Sequence, residues 1–264
     1  MRRARSAEDV DAIARELYGH VDLAARAGVV HVTAVWEPPE GGALVTLAIG
    51  PDTPRSEHDA FVLSLARARA DAIVTTGKML RDEPHTRYDL SGPADALAAW
   101  RRERAGCDVP PWLLVLTSGR DVPLDHPALH GAPRPIVYTT RQSAAALAPA
   151  VAGTRIEVVG VDSPSARSAI DHLRAGRGAK LVSIEAGPTT SRALYDDPVA
   201  VDELMLSVYA APELDRRVRG KPLLSHAELA ARLPHATEVV EVSEPSGPWR
   251  FQLRALSTFT PSLS

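Results

Sequence analysis

The sequence LARARADAIVTTGK, residues 65–78, contains the end of a helix, a buried strand and a turn of small polar residues. The apolar spacing predicts a helix over Ser56–Ala70. Asp71–Val74 follows as a short strand, and Thr75–Lys78 is the turn at its end. A short strand that is apolar throughout is typical of a parallel sheet covered by helices on both faces.

The same order of strand, Thr/Ser/Gly turn and helix occurs three more times. These turns are Thr117–Arg120, Thr139–Arg141 and Glu185–Thr190. Strands and helices in alternation predict an α/β fold with a mostly parallel central sheet. Because the carboxyl ends of parallel strands meet at one edge, we expect all four turns at the edge where open α/β sheets bind ligands.

The two ends of the chain differ from this pattern. We predict a helical extension over 1–28, an α/β domain over 29–256 and a tail over 257–264. The extension is an accessory element or a dimer arm. Val29–Trp36 and Ala43–Ile49 are predicted strands, with a hairpin as the simplest connection. The C-terminal third is predicted to form antiparallel strands rather than helices.

The composition excludes several classes of protein. A net charge of −3 provides no basic field for nucleic acid or an anionic membrane. No apolar run reaches the length of about 18 residues that a membrane span needs. Cys107 is the only cysteine, which excludes a disulfide framework and is typical of a reducing compartment. We expect a cytoplasmic protein without a metal, membrane or nucleic-acid partner.

Common catalytic motifs are absent from the sequence. It has no Gly-x-Gly-x-x-Gly after a strand, no Walker A motif and no Gly-x-Ser-x-Gly. The four turns remain, with hydroxyls, backbone N–H groups and the cations Lys78, Arg120 and Arg141. These groups suit a polyanionic ligand such as a phosphorylated nucleotide. Thr and Ser also cap helices in most α/β proteins, so both interpretations stay open.

Two blocks of the sequence resemble one family. The first runs over 65–74, 77, 80–84 and 86–87, and the second over 182–189, 201–204 and 211–212. In order and separation they are similar to the C-terminal reductase domain of bacterial riboflavin biosynthesis deaminase-reductases, a branch of the dihydrofolate-reductase-like fold. The resemblance covers about residues 44–256. We expect a divergent member without the deaminase domain.

The resemblance implies an NADPH-dependent oxidoreductase. The family transfers a hydride to 5-amino-6-(5-phosphoribosylamino)uracil, so the expected substrate is a pyrimidine ribosyl phosphate or a related heterocycle. It also implies a homodimer, for which Val201–Val208 would serve. Two alternatives stay open: a non-catalytic nucleotide-binding descendant, and a reductase of a different small substrate.

The resemblance also assigns site residues. Asp52, Arg87 and Glu185 match substrate-contacting positions, with Arg87 on the substrate phosphate. Arg120 is the candidate for the 2′-phosphate of the cofactor. No catalytic residue is assigned, because hydride transfer depends mainly on positioning and electrostatics. The predicted NADPH-binding residues are Thr76, Gly77, Lys78, Asp82, Ser118, Arg120, Ala186, Gly187, Pro188, Thr189, Thr190 and Ser191.

The sequence departs from the family pattern around the substrate. After the strand that ends at Ile49, residues 50–54 are shorter than the family loop over the nicotinamide and contain two prolines. Only Asp52 could replace the family's aspartate there. Ala186 replaces a glycine and adds a methyl group beside the expected pyrophosphate. We expect the cofactor half of the site to be better preserved than the substrate half.

Overall fold

The helices and strands alternate along most of the chain. The computed structural model describes residues 4–25, 27–88, 95–119 and 122–259. The elements are α1 (Ala7–Tyr18), β1 (Gly28–Trp36), β2 (Ala43–Leu47), α2 (Glu57–Arg69), β3 (Ala72–Thr76), α3 (Gly77–Asp82), α4 (Asp95–Glu103), β4 (Trp112–Leu116), α5 (Pro127–Gly131), β5 (Pro135–Thr140), α6 (Arg141–Val151), β6 (Glu157–Val161), α7 (Ala166–Arg177), β7 (Leu181–Ile184), α8 (Pro188–Ser191), β8 (Glu203–Tyr209), β9 (Arg219–Ser225), α9 (His226–Arg232), β10 (His235–Ala236), β11 (Val240–Glu244) and β12 (Gly247–Ala255), with 3₁₀ turns at Arg192–Tyr195 and Arg216–Val218.

The strands form one twelve-stranded sheet in the order β10-β12-β8-β1-β7-β3-β4-β5-β6. From β8 to β6 the neighbours are parallel. β12 is antiparallel to β8, β10 and β11. β2 pairs antiparallel with β1 and carries β9 on its other side. The predicted mostly parallel sheet with antiparallel C-terminal strands is confirmed.

Apolar side chains are buried on both faces of the sheet. In β1, Val29 and Val35 face the core that includes α7 and α9, whereas Val30 and Val32 face the core that includes α1, α2 and α4. This alternation follows from the two-residue period of a strand. None of the helices in the described ranges has both the length and the apolar composition to cross a bilayer.

The N-terminal extension forms α1, which begins after its N-cap Ser6. Its buried face includes Ile13 and Leu17 and packs against α4 and β12. Trp100 Nε1 also donates a hydrogen bond of 2.6 Å to Asp11. The apolar face of α1 is therefore used within the chain, as expected of an accessory element rather than of a dimer arm.

Two predictions about strands need correction. The altered family loop was placed at 50–54, but that segment follows β2, which lies outside the parallel strands, whereas β1 lies among them, between β7 and β8. The loop that follows the parallel strand β1 is 37–42. Val201–Val208 cannot form the interface of a homodimer, because β8 is already paired with a strand on each side and its apolar side chains are buried. The oligomeric state stays a prediction.

The strand β9 and the helix α9 were not expected from the sequence. β9 contains Gly220, Lys221 and Pro222, which obscure the alternation typical of a strand. α9 begins with a capping box in which Ser225 and Glu228 exchange hydrogen bonds. That Ser-x-x-Glu pattern is the signal that predicts this helix.

Candidate functional site

Hydroxyl side chains shape the turns at the carboxyl edge of the sheet. Thr76 caps α3 by accepting a hydrogen bond of 3.2 Å from the N–H of Met79. Thr140 caps α6 in the same way. Gly119 has a φ of +86°, and a Cβ there would lie 2.1 Å from the Cβ of Ser143, so this turn requires glycine. The capping role of these residues is therefore confirmed.

The same turns also meet in a large cleft of about 740 Å³. Its walls come from the ends of β3, β4, β5 and β7, together with β2 and β9. Its hydroxyl-bearing residues are Thr46, Thr76, Thr117, Ser118, Thr140, Thr189 and Thr190. The predicted convergence of the four turns is observed.

Among the described residues, three cationic side chains line the large cleft: Lys78, Arg81 and Lys221. Lys78 Nζ pairs with the Asp82 carboxylate one helical turn away. Lys221 Nζ donates to Thr189 Oγ1 at 3.1 Å and lies on the unpredicted strand β9. Positive charge beside hydroxyls and helix starts favours a ligand with phosphate groups.

A small pocket of about 170 Å³ adjoins the large cleft. One stripe of α2 forms part of its wall, with Asp59, Leu63 and Arg67 at i, i+4 and i+8. Glu83, Tyr88 and Glu185 are its other titratable groups among the described residues. Both cavities are lined by Thr46, Leu47, Ile49, Met79 and Gly187.

Arg67 and Glu185 form a buried ion pair in the small pocket. Arg67 Nε contacts Glu185 Oε1 and Oε2 at 2.9 and 3.0 Å, and Nη2 donates to Oε2 at 2.6 Å. Burial works against the charge of Arg67, but the Glu185 carboxylate raises the pKa of Arg67. The guanidinium carbon lies 4.4 Å from the centre of the Tyr88 ring, and Nη1 donates to the Arg87 carbonyl at 3.3 Å. Arg67 thus connects α2 to β7 and to the loop after α3.

Two other carboxyl groups of the small pocket have raised pKa values. Burial raises the pKa of Asp59. Burial also raises the pKa of Glu83, while Thr86 and Arg67 work in the opposite direction. Both groups bind a proton at a higher pH than an exposed carboxylate does.

A buried pair lies beneath the turn that the two cavities share. Tyr195 Oη lies 2.7 Å from His31 Nδ1, and β1 pairs His31 with Ile184, just before that turn. Burial lowers the pKa of His31 to about 4, with a small opposing contribution from the backbone of Ala186. His31 is therefore neutral at pH 7.

Most of the predicted cofactor residues lie together. Those lining the large cleft are Thr76, Gly77, Lys78, Asp82, Ser118, Gly187, Pro188, Thr189 and Thr190. Ala186 lines the small pocket instead, and the buried Ser191 hydroxyl donates to the Gly187 carbonyl. Arg120 lies outside the described residues. Arg141 pairs with Asp162 on the surface rather than lining either cavity.

Two of the three predicted substrate residues lie elsewhere. The Asp52 side chain is 59% exposed and pairs with Arg217 at 3.6 Å, because residues 50–54 follow a strand outside the parallel core. The Arg87 side chain is exposed, and its carbonyl, not its guanidinium, contacts Arg67. Neither lines the cavities. Glu185 does line the small pocket.

Sequence reasoning missed Lys221, Asp59 and Arg67. The chain has only three lysines, Lys78, Lys180 and Lys221, and two of them line the large cleft. That rarity was the available signal for Lys221. Asp59 and Arg67 carry no such signal, because α2 also contains the charged residues Glu57 and Arg69.

Comparisons with solved structures identify the architecture. No protein-family model and no curated protein sequence matches the chain. A pyrimidine reductase-like protein from Corynebacterium diphtheriae matches 93% of this chain and 99% of its own, with a TM-score of 0.65 and 20% identity. RibD from Acinetobacter baumannii matches 87% of this chain and 58% of its own, with a TM-score of 0.58 and 16% identity.

A third match is the riboflavin biosynthesis reductase Rib7 from Saccharomyces cerevisiae. It covers 93% of this chain and 98% of its own, with a TM-score of 0.50 and 11% identity. At these identities the likeness concerns the fold. The chain therefore has the fold of the pyrimidine reductase-like and riboflavin biosynthesis reductase structures, as the two sequence blocks predict.

Proposed function

We propose that this protein is an NADPH-dependent reductase that transfers a hydride to a pyrimidine ribosyl phosphate or a related heterocycle. The observation that carries the proposal is the convergence of four strand-to-helix turns on one cleft that adjoins a second, charged pocket. Such a site at the carboxyl edge of a parallel sheet suits a nucleotide beside a small substrate.

The large cleft fits a dinucleotide in size and chemistry. Its volume of about 740 Å³ is within the usual range for cofactor sites. A Cβ built on Gly187 would meet no atom within 4 Å, so there is open space above this turn. Thr76, Thr189 and Lys221 would hold phosphate oxygens. When bound, NADPH supplies the hydride.

The small pocket supplies the groups that would orient a heterocycle. Among the described residues that line this pocket, three carry a carboxyl group and one is a cation. The carboxyl groups belong to Asp59, Glu83 and Glu185, and the cation is Arg67. Carboxyl oxygens accept hydrogen bonds from ring N–H and amino groups. A ring held there would present one face to the large cleft, which is the arrangement that hydride transfer requires.

The first test is thermal unfolding with NADPH, with NADH and without ligand. We expect a rise in Tm with NADPH, because a ligand at 100 times its Kd stabilises the folded state by about 2.7 kcal/mol. Oxidation of NADPH at 340 nm in the presence of 5-amino-6-(5-phosphoribosylamino)uracil then tests the reaction. An unchanged Tm with either nucleotide would refute the cofactor assignment.

The variant Gly187→Trp tests whether the cofactor binds in the large cleft. The indole would extend into the open space of the large cleft, so we expect NADPH affinity to fall by about 100-fold, or 2.7 kcal/mol, with an unchanged Tm of the free protein. Gly176→Trp is the matched control, because Gly176 is exposed on α7 and a Cβ there meets only His172, at 3.8 Å. Equal NADPH affinity in the two variants would place the cofactor elsewhere.

A further inference from the structure

A third cavity, of about 490 Å³, lies at the other edge of the sheet. Parts of its wall come from segments that precede β4, β5 and β6, with residues drawn from 107–111 and 131–133. Because β3, β4, β5 and β6 are parallel, these segments meet at the amino edge of the sheet, whereas the large cleft lies at the carboxyl edge. This rear cavity is therefore separate from the large cleft.

Apolar and rigid residues form much of the wall of the rear cavity. Ile73 and Leu113 are paired neighbours on β3 and β4, and both are buried. Pro110, Pro111 and Pro133 line it at the starts of the strands. A proline ring fixes the backbone angle φ, so these segments have little freedom to move into the cavity.

Arg101, a buried residue of α4, holds one wall of the rear cavity in place. Its Nη1 donates hydrogen bonds of 2.7 and 2.6 Å to the carbonyls of Ala68 and Ala70. Its Nη2 donates to the Val109 carbonyl at 2.7 Å and to Cys107 Sγ at 3.0 Å. The loop after α4 is thereby tied to the end of α2, which makes the rear cavity a preformed one.

The charge balance of the rear cavity is opposite to that of the small pocket. Among the described residues that line it, three are cations, Arg101, Arg102 and Arg155, and one, Asp108, carries a carboxyl group. Arg102 and Arg155 are exposed, and no ion pair joins either of them to another residue of the described ranges. Two guanidinium groups on the solvent side are therefore available to an anion.

Tyr88 lines both the rear cavity and the small pocket. Its ring centre lies 4.4 Å from the guanidinium carbon of Arg67, and its Oη lies 2.9 Å from Thr75 Oγ1. The two cavities therefore share a wall, and that wall packs against the ion pair of the small pocket.

We propose that the rear cavity is a second ligand site, which binds an organic anion with an apolar body, such as an aromatic carboxylate. Its volume is within the usual range for sites of small molecules. The apolar body would lie over Ile73 and Leu113, and the carboxylate would contact Arg102 and Arg155, because a guanidinium binds a carboxylate through two parallel hydrogen bonds. The charges of the small pocket would repel the same ligand.

Cys107 provides the test, because it lines the rear cavity and is the only cysteine of the chain. The rate of its alkylation by iodoacetamide, a neutral reagent, is measured by intact mass with increasing 1-naphthoate. We expect saturable protection of the thiol. The neutral analogue 1-naphthylmethanol should need about tenfold higher concentrations for the same protection, since it lacks the hydrogen bonds of a charged group. This comparison needs no variant.

The double variant Arg102→Met, Arg155→Met tests the two guanidinium groups. The concentration of 1-naphthoate that halves the alkylation rate should rise by about tenfold. Arg15→Met is the matched control, because Arg15 is exposed on α1 and lies outside the rear cavity. Gly187→Trp, in the large cleft, should leave the protection unchanged. Circular dichroism checks the fold of each variant.

Three results would overturn the proposal. Alkylation that 1-naphthoate does not slow would mean that the rear cavity does not bind the anion. Equal protection by 1-naphthoate and 1-naphthylmethanol, or by 1-naphthoate in the double variant and in Arg15→Met, would remove the role of the arginines. Loss of protection in Gly187→Trp would place 1-naphthoate in the large cleft. The experiment uses neither NADPH nor turnover, so its result is independent of the proposed reductase function.

Discussion

The large cleft and the small pocket adjoin each other at the turn that contains Gly187, but different kinds of residue line them. The large cleft consists of turns, hydroxyls and helix starts at the ends of parallel strands, with cations at its surface. The small pocket contains charged side chains from α2 and from the residues just after α3 and β7, and two of them, Arg67 and Glu185, form a buried ion pair. Changes in the first should affect binding, whereas changes in the second should affect stability as well.

Arg67→Met should show this difference most strongly. The substitution leaves Glu185 buried without its cation, and breaking a buried ion pair costs about 3–5 kcal/mol. We expect the free energy of unfolding to fall by about 3 kcal/mol in urea denaturation.

The double variant Arg67→Met, Glu185→Leu is the control for this prediction. Replacing both members of a buried pair by apolar residues is often neutral, so the double variant should recover most of the loss. A stability loss in Arg67→Met that the double variant does not recover would show that Arg67 acts through its contacts with Tyr88 and the Arg87 carbonyl instead.

His31 lies beneath the turn that both cavities share, and its effect depends on pH. Its folded-state pKa of about 4 is below the usual value of about 6.5. The unfolded chain therefore binds more protons between these values. The stability due to neutral His31 is complete above pH 6.5 and is lost as the pH falls toward 4, with about 2 kcal/mol lost by pH 5.

His31→Gln tests this dependence. The glutamine can keep a hydrogen bond to Tyr195 but does not titrate. The loss of unfolding free energy between pH 7 and pH 5 should be about 2 kcal/mol smaller in the variant than in the wild type. Identical pH dependence in the two proteins would mean that His31 is charged without penalty in the folded state.

Substitution of each of the three lysines should have the smallest and most local effects. Lys221→Met should weaken NADPH binding by about tenfold, or 1.4 kcal/mol, and reduce its sensitivity to salt. Lys78→Met should have a smaller effect, because the Lys78 side chain is 74% exposed and pairs with Asp82. Lys180→Met is the control outside both cavities. None of the three should change Tm, and a Tm loss in Lys221→Met would contradict the contrast drawn above.

The large cleft was more predictable than the small pocket. Thr76, Ser118 and Gly187 follow apolar strands directly, so strand order and polarity are enough to place them at one edge. Asp59 and Arg67 belong to a helix whose sequence shows only an ordinary amphipathic pattern. Their pairing with groups such as Glu185, 118 positions away, depends on how α2 lies across the sheet.

The turn residues can be predicted from the neighbouring sequence alone, because a hydroxyl or glycine at the end of a strand caps the next helix wherever that helix lies. The alternation of strands, turns and helices was therefore sufficient for the α/β class and for the convergence of the turns. Sheet order is a long-range property, because β1 pairs with β7 and β8 far along the chain. That pairing placed β1 among the parallel strands, and the pairing of β9 with β2 brought Lys221 to the large cleft.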